Sequence, residues 1–180
     1  MDAYITWVTQ NPIFSAFVQF AILGPTGEIV AASLVAKRPA LPCPWLKMLG
    51  KALAWAILGV VIKYGFVGMK GFVNELVNGQ QMLPSWFSTN LVAHAFAVSV
   101  FTNVLFGPQM MLFHRFEDNL VLGDSGYAGM WKAIQTLLWF WIPAHTITFC
   151  LPTHFQIGLA AVWGLALGII LGLSKMRRNL

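Results

Sequence analysis

Five long apolar segments restrict the fold of this chain more than any other feature of its sequence. They are predicted at about residues 13–36, 51–72, 89–113, 130–151 and 155–173, and each is close to the roughly 20 residues that a helix needs to cross a bilayer. Charged residues make up only 9% of the 180 positions, whereas an ordinary soluble domain has about a quarter. The sequence therefore predicts an all-α integral membrane protein, one helical bundle over residues 1–180, with a short amphipathic helix at residues 4–10.

The distribution of lysine and arginine favours five membrane crossings over four. Positive residues concentrate on one side of a membrane protein. With five crossings, one side carries Lys37, Arg38, Lys47, Lys51, Arg115, Lys132, Lys175, Arg177 and Arg178. The other side then carries only Lys63 and Lys70. Four crossings would move the C-terminal cluster to the opposite side, so we expect five crossings and a C-terminus on the positive side.

The fourth segment combines a proline with polar residues at membrane depth. Pro143 lacks an N–H group and so leaves a backbone carbonyl without its helical partner. His145 follows two residues later, and Thr148 lies near it. An ionisable residue in a span usually faces the protein interior or a wet cavity. These residues are interpreted either as part of a site or as partners for the carbonyl that Pro143 frees.

A carboxylate in the first segment is a second candidate site residue. The run Gly24-Pro25-Thr26-Gly27 predicts a break in the helix, and Glu28 follows it. Because burying an unpaired charge is costly, Glu28 is expected to be neutral, paired or hydrated. Snorkelling toward the interface is the favoured account of Lys63 and Lys70, and Lys63 is otherwise a candidate partner of Glu28 or a cavity wall. The predicted pore or polar-cavity residues are Glu28, Lys63, His94, Asn103, His145 and Thr148.

Three glycines at a spacing of four predict a packing groove in the last segment. Gly164, Gly168 and Gly172 would allow another backbone to approach closely, within the bundle or between subunits. The charged run at 114–118 is expected to be a solvated exit from the third segment. Two cysteines, Cys43 and Cys150, are too few and too far apart to predict a disulfide framework or a metal site.

The C-terminal half resembles the Mpv-seventeen/peroxisomal-membrane-protein family. The residues that carry the resemblance are Ile142-Pro143, Thr148-Phe149, Leu151-Pro152 and Leu173-Ser174-Lys175, with weaker likeness at Gly27-Glu28 and at 65–68. His145 and Gln156 stand where the family usually has Gln and Arg. The resemblance implies a small organelle membrane protein, with the mitochondrial inner membrane favoured over peroxisome or plastid. It also implies a weakly selective channel or a role in organelle homeostasis.

Two functions are therefore expected, and neither is enzymatic. In the first, the protein conducts a solute passively, with Glu28 and His145 tuning selectivity. In the second, it is an accessory subunit of a large respiratory or photosynthetic complex, where His94, His114, His145 and His154 could be axial ligands of a chlorophyll or haem. The expected partners are membrane lipid and either a homo-oligomer or a larger membrane complex; nothing indicates nucleic acid. No Ser-His-Asp order, HExxH, CxxC or phosphate-binding glycine loop is present, so an enzyme is the least supported alternative.

Overall fold

The computed structural model describes the backbone of residues 1–178 and the side-chain surroundings of residues 1–167 and Ile169. That part of the chain is all-α, without strands, as the sequence predicts. The helices are α1 (Asp2–Gln10), α2 (Pro12–Ala36), α3 (Trp45–Asn74), α4 (Trp86–Thr89), α5 (Leu91–Phe101), α6 (Gly107–Leu122), α7 (Met130–Thr136), α8 (Ile142–Cys150) and α9 (Thr153–Arg178). Turns of π-helix at Glu75–Gly79, Thr102–Phe106 and Leu137–Trp141 extend or join them.

Three helical segments are long and apolar enough to cross a membrane. They are Pro12–Ala36, Trp45–Gly79 and Leu91–Leu122, with 25, 35 and 32 residues. A shorter apolar helix occupies Thr153–Leu167 among the described residues. The chain is therefore an integral membrane protein that crosses the bilayer more than once.

The long segments alternate in direction along the chain. Phe20 lies against Gly59 and Glu28 against Lys51, so α2 and α3 are antiparallel. Lys51 lies against Asp118 and Gly65 against Phe106, so α3 is antiparallel to the third segment. Ser99 lies against Ile142 and Gly107 against Leu137, so the third segment is antiparallel to the fourth. Thr148 lies against Trp163 across the short turn between α8 and α9, so these two helices are antiparallel as well. By contrast, α2 and α9 run parallel, because Gln19 lies against Gly158 and Gly27 against Leu165. The first and last long helices therefore begin at the same end of the bundle.

The predicted break in the first segment is wrong, since α2 continues through Pro25. Proline removes one helical hydrogen bond, but packing on both sides holds the helix together. Gly24 fits against the Trp55 ring of α3, and Gly27 fits against the backbone of α9. The Thr26 hydroxyl donates to the Ile22 carbonyl at 2.7 Å. Small residues around Pro25 therefore bring neighbouring helices close instead of opening the helix.

Two further helical prolines follow π-helical turns. Pro108 lies at the start of α6 and Pro143 at the start of α8, each directly after a π turn. A π turn inserts an extra residue into the helical ladder and is often found at functional sites. The missing N–H of each proline removes a bond that would otherwise favour the regular α ladder. The two π turns pack against each other in the interior of the bundle.

The N-terminal helix is fastened to the bundle by Tyr4. Its hydroxyl donates to Gln19 Oε1 at 3.0 Å, and its ring stacks on Phe155 of α9 with centroids 6.0 Å apart. Burial raises the pKa of the Tyr4 phenol, so the side chain stays a neutral donor. Val8 on the same helix is buried. The amphipathic helix predicted at residues 4–10 therefore packs its apolar side against α2 and α9.

Candidate binding cavity

A cavity of about 320 Å³ lies at the centre of the bundle. Its wall includes residues from α2, α3, α6, α8 and α9 and from the π turns at 102–106 and 137–141. Most of these residues are apolar or aromatic, for example Phe20, Phe66, Met110, Met111 and Leu137. An apolar cavity of this kind suits an apolar guest, since water in it would find few hydrogen-bond partners.

The middle of the cavity wall contains a histidine held in one orientation. His145 is 9% exposed, and its Nδ1 lies 3.2 Å from Asn103 Nδ2. The Asn103 amide also donates to the Ser99 carbonyl at 2.8 Å, which identifies this atom as the NH₂ group. Because Nδ1 accepts from Asn103, the proton of the neutral ring lies on Nε2. No side chain or backbone group of the described residues bonds that Nε2.

Two rings fix the plane of His145. The Trp141 ring lies 5.0 Å away and the Phe66 ring 5.2 Å away, the latter nearly perpendicular to the imidazole. Trp141 Nε1 is buried without a hydrogen-bond partner among the described residues. Thr148 lies behind this wall, where its hydroxyl donates to the Ala144 carbonyl and accepts from Trp163 Nε1. Thr148 therefore bonds a backbone carbonyl, but not the one that Pro143 frees, which lies four residues before the proline at Trp139.

A buried ion cluster lies at one end of the cavity. Lys51 is 4% exposed, and its Nζ lies 2.9 Å from Glu28 Oε2 and 2.7 Å from Asp118 Oδ1. Trp55 Nε1 donates to the other Glu28 oxygen at 2.7 Å. The His114 ring packs on Trp55 with centroids 4.4 Å apart. One ammonium group thus joins α2, α3 and α6 near the basic 37–44 loop.

The same carboxylates and His114 could hold a metal ion by distance alone. The ligand atoms of Glu28, His114 and Asp118 lie within 4.8 Å of one another. However, the Lys51 ammonium already contacts both carboxylates and supplies the cation that they require. We interpret the group as an ion pair network, because Lys51 contacts both carboxylates without a metal, although His114 Nδ1 is buried without a hydrogen-bond partner among the described residues.

The structure brings three of the predicted cavity residues to the cavity wall, namely Glu28, Asn103 and His145. Lys63 is elsewhere, and the predicted pairing of Lys63 with Glu28 is wrong because Lys51 occupies that position. His94 lies at the opposite end of the bundle, where Nε2 is 2.8 Å from Asn74 Oδ1. The described geometry therefore separates His94 from the cavity.

The predicted pigment ligands are likewise not brought together. His154 lies just after the turn before α9, packed on Phe155 with ring centroids 4.3 Å apart. His145 lines the cavity and His94 lies near Asn74. A pair of opposed axial histidines does not form from these three residues. This geometry does not favour a haem with two axial histidines, whereas a chlorophyll needs only one axial ligand and stays a prediction.

The predicted glycine groove of the last segment needs correction. Gly164 lines the cavity, and a Cβ added there would meet no atom within 4 Å. Gly168 and Gly172 lie outside the residues whose surroundings are described. The close helix contact of α9 is made through Gly27 of α2, where an added Cβ would lie 3.0 Å from Leu165 Cα.

The sequence analysis missed most of the ion cluster. The sequence places Lys51 at the start of the second segment, on its positive side, and predicts a solvated run at 114–118. Instead α6 continues to Leu122, and Glu117 is 7% exposed. A signal was present: His114 and Asp118 are four residues apart, as are Lys51 and Trp55, so each pair shares one helix face.

Comparisons with known proteins identify no relative of this chain. A scan of protein-family models, a search of curated proteins and a search of solved structures each find no match to the chain.

Proposed function

We propose that this protein is a non-enzymatic membrane protein that binds one small, largely apolar molecule in the central cavity, such as a lipid chain with a hydrogen-bond acceptor. His145 is the observation that carries the proposal. Its ring lines an apolar cavity and is oriented by Asn103, so that the Nε2–H donor is left for a guest. Trp141 Nε1 on the same wall is a donor that is buried without a partner among the described residues, which is costly, and an acceptor on the guest could bond either group.

The size and lining of the cavity support this choice of ligand. At about 320 Å³ the cavity is at the lower end of the roughly 300–1,000 Å³ that small-molecule sites occupy. Such sites combine apolar walls with a few polar groups that fix orientation. Here the polar groups are His145 and Asn103 in the middle and Glu28 with His114 at one end. A chain-like molecule fits these features better than a hydrated ion does.

Ion conduction is less favoured by the same features. A conducting path must replace the hydration shell of the ion with polar groups along its length. The wall of this cavity is mostly apolar, and Lys51 neutralises much of the charge on Glu28 and Asp118. The channel or homeostasis role that the Mpv-seventeen resemblance implies stays a prediction. The same holds for an organelle location, with the mitochondrial inner membrane favoured.

A cavity-filling variant tests lipid binding, and a matched glycine provides the control. Gly164 lines the cavity and Gly71 is exposed on the outside of α3, and a Cβ added at either position meets no atom within 4 Å. Leucine at Gly164 would therefore extend into the cavity, whereas leucine at Gly71 would extend away from the bundle. Both variants replace a helical glycine, so their intrinsic effects on helix stability are alike. The protein is incorporated into vesicles with a fatty acid that carries a photoreactive group in mid-chain, and crosslinked residues are mapped.

The expected result is crosslinking at Met110 and Met111 of the cavity wall, reduced several-fold in Gly164→Leu and retained in Gly71→Leu. Native mass spectrometry of gently extracted protein should show the same difference in retained lipid. Crosslinking confined to exposed residues such as Leu49 and Leu53, equal in both variants, would refute the proposal. A conductance that Gly164→Leu abolishes, without any crosslink in the cavity, would instead favour the pore.

A further inference from the structure

The outer face of α3 is long, apolar and uncovered by the rest of the chain. We define it by Leu53, Ile57, Tyr64, Val67 and Gly71, of which Tyr64 and Val67 are 64% and 55% exposed. A Cβ added at Gly71 would meet nothing within 4 Å. An apolar face of this kind is compatible with lipid alone, so the face by itself indicates no partner. Two charged residues along one edge of this face do indicate a partner.

Two lysines lie along one edge of this face. Lys63 and Lys70 are both half-buried and are seven residues apart, which places them on the same side of the helix. Lys63 lies twelve residues after Lys51 and eleven before Asn74. At 1.5 Å per residue it is about 17 Å along the helix from either polar end of the apolar stretch. The four-carbon stem of a lysine is too short to bring its ammonium group to either interface from that depth.

No carboxylate of the described residues pairs with either lysine. Lys70 Nζ donates to a neutral group, Gln156 Oε1, at 3.0 Å. Neither Lys63 nor Lys70 forms an ion pair among the described residues, whose ion pairs are both made by Lys51. A charged residue at the centre of a span is expensive and normally faces a partner. An anionic partner for Lys63 would therefore have to come from outside its own chain.

A second copy of the chain could not supply that group. The chain has six acidic residues: Asp2, Glu28, Glu75, Glu117, Asp118 and Asp124. Glu28 and Asp118 are committed to Lys51, and Glu117 is buried. The remaining three lie in α1, at the end of α3 and in the 123–129 connection, beyond the apolar middle of the bundle. No exposed carboxylate is thus available at the depth of Lys63.

We propose that the outer face of α3 docks a transmembrane helix of a different protein, which carries an aspartate or glutamate at the level of Lys63. The uncovered surface at Gly68 and Gly71 would let the partner backbone approach closely. The ammonium–carboxylate pair would form inside the bilayer and remove the cost of the isolated charge. This surface does not depend on the cavity, and it gives the accessory-subunit expectation a specific location.

The test uses the full chain and a synthetic helix of defined sequence. A leucine–alanine transmembrane peptide with one central aspartate carries an acceptor dye, and the protein carries a donor dye on a terminal tag. Both are placed in phosphatidylcholine vesicles, and association is measured by energy transfer. Peptides with central leucine or asparagine are the comparison. Lys63→Met removes the charge, Lys63→Arg keeps it, and Lys132→Met controls for the loss of an exposed lysine.

The aspartate peptide should associate with the native chain about 5- to 30-fold more tightly than the leucine peptide, the ratio expected for an interhelical polar contact of about 1–2 kcal/mol. Lys63→Met should abolish that advantage, while Lys63→Arg and Lys132→Met should keep it. Gly71→Leu should weaken association by blocking close approach. Equal binding of the aspartate and leucine peptides, or an advantage that survives in Lys63→Met, would overturn the proposal.

One further experiment distinguishes an anionic lipid from a helix of another protein as the partner of Lys63. If the lysines serve an anionic lipid, the native chain should retain phosphatidylglycerol in native mass spectrometry and Lys63→Met should lose it. Phosphatidylglycerol in the vesicles should then displace the aspartate peptide completely. That outcome would reject the helix partner. The cavity variant Gly164→Leu should leave peptide association unchanged, so failure here and failure of the cavity proposal are separate results.

Discussion

Lys51 is the residue on which the interior charge balance depends. Its ammonium group contacts Glu28 and Asp118 from two other helices while the side chain is 5% exposed. Removing one partner of a buried ion pair leaves uncompensated charge and costs about 3–5 kcal/mol. We therefore expect Lys51→Met to lower the stability of the detergent-solubilised protein by about that amount, measured by thermal or denaturant unfolding.

The controls for Lys51 separate charge from packing. Lys132→Met removes an exposed lysine and should change stability little. The triple variant Lys51→Met, Glu28→Gln, Asp118→Asn removes all charge from the cluster and should recover much of the loss, because no buried charge remains unpaired. A Lys51→Met protein as stable as Lys132→Met would contradict the buried network.

Residue types alone did not reveal this cluster, although they revealed Glu28. A carboxylate at membrane depth is conspicuous in sequence, and its need for a partner follows from desolvation. The choice between Lys63 and Lys51 depends on the antiparallel register of α2 and α3, which places residue 51 opposite residue 28. Register is set by how the helices pack against each other, so it does not follow from the residue types of a single sequence. His145 was found from its proline context, but its orientation by Asn103 required the fold.

Among the helices, the contact of α2 with α9 depends on one glycine. An added Cβ at Gly27 would lie 3.0 Å from Leu165 Cα, which is backbone and cannot move aside as a side chain can. Gly27→Leu should therefore separate the two helices and lower stability by about 1–3 kcal/mol, the usual range for overpacking. The loss of stability is measured by unfolding the detergent-solubilised protein. Gly164→Leu, which meets no atom at its Cβ, should be neutral or stabilising.

If Gly164→Leu instead destabilised as much as Gly27→Leu, the α9 glycines would be packing residues as the sequence analysis expected. The two glycines are on different helices but have the same local chemistry, so the pair isolates the effect of the neighbour. Their difference illustrates a limit of spacing arguments. A small residue every four positions defines a helix face, while the identity of what lies opposite that face is decided by the other helices.

Helix bounds were more predictable than helix interiors. The segment predicted at 13–36 is found at Pro12–Ala36, and the one predicted at 130–151 is found from Met130 to Cys150. The third segment was predicted to end at 113 but continues to Leu122, because its terminal charges face α3 and not solvent. The π turns before Pro108 and Pro143 had no sequence signal beyond the prolines.

For the whole molecule, the alternating helix directions predict the membrane topology. Because α2 and α9 run parallel with four reversals of direction between them, the N- and C-termini should lie on opposite sides of the membrane if all five segments cross. The basic 37–44 connection and the 123–129 connection should share the side of the C-terminus, as the lysine and arginine distribution predicts. The 80–90 connection should share the side of Asp2.

Single cysteines test this arrangement in sealed vesicles. With Cys43 and Cys150 replaced by serine, cysteine is introduced at the exposed positions Ser85 or Ser125, and a membrane-impermeant maleimide is applied from outside. Ser125→Cys should label on the same side as a tag at Leu180, and Ser85→Cys on the other side. Labelling of both from one side would mean that Leu91–Leu122 does not cross the membrane. Labelling of Ser125→Cys on the side opposite the Leu180 tag would mean that α7 and α8 do not carry the chain across. In that case Lys63 would still lie at the depth inferred above, since α3 crosses in either arrangement, but the cavity would open toward the membrane surface.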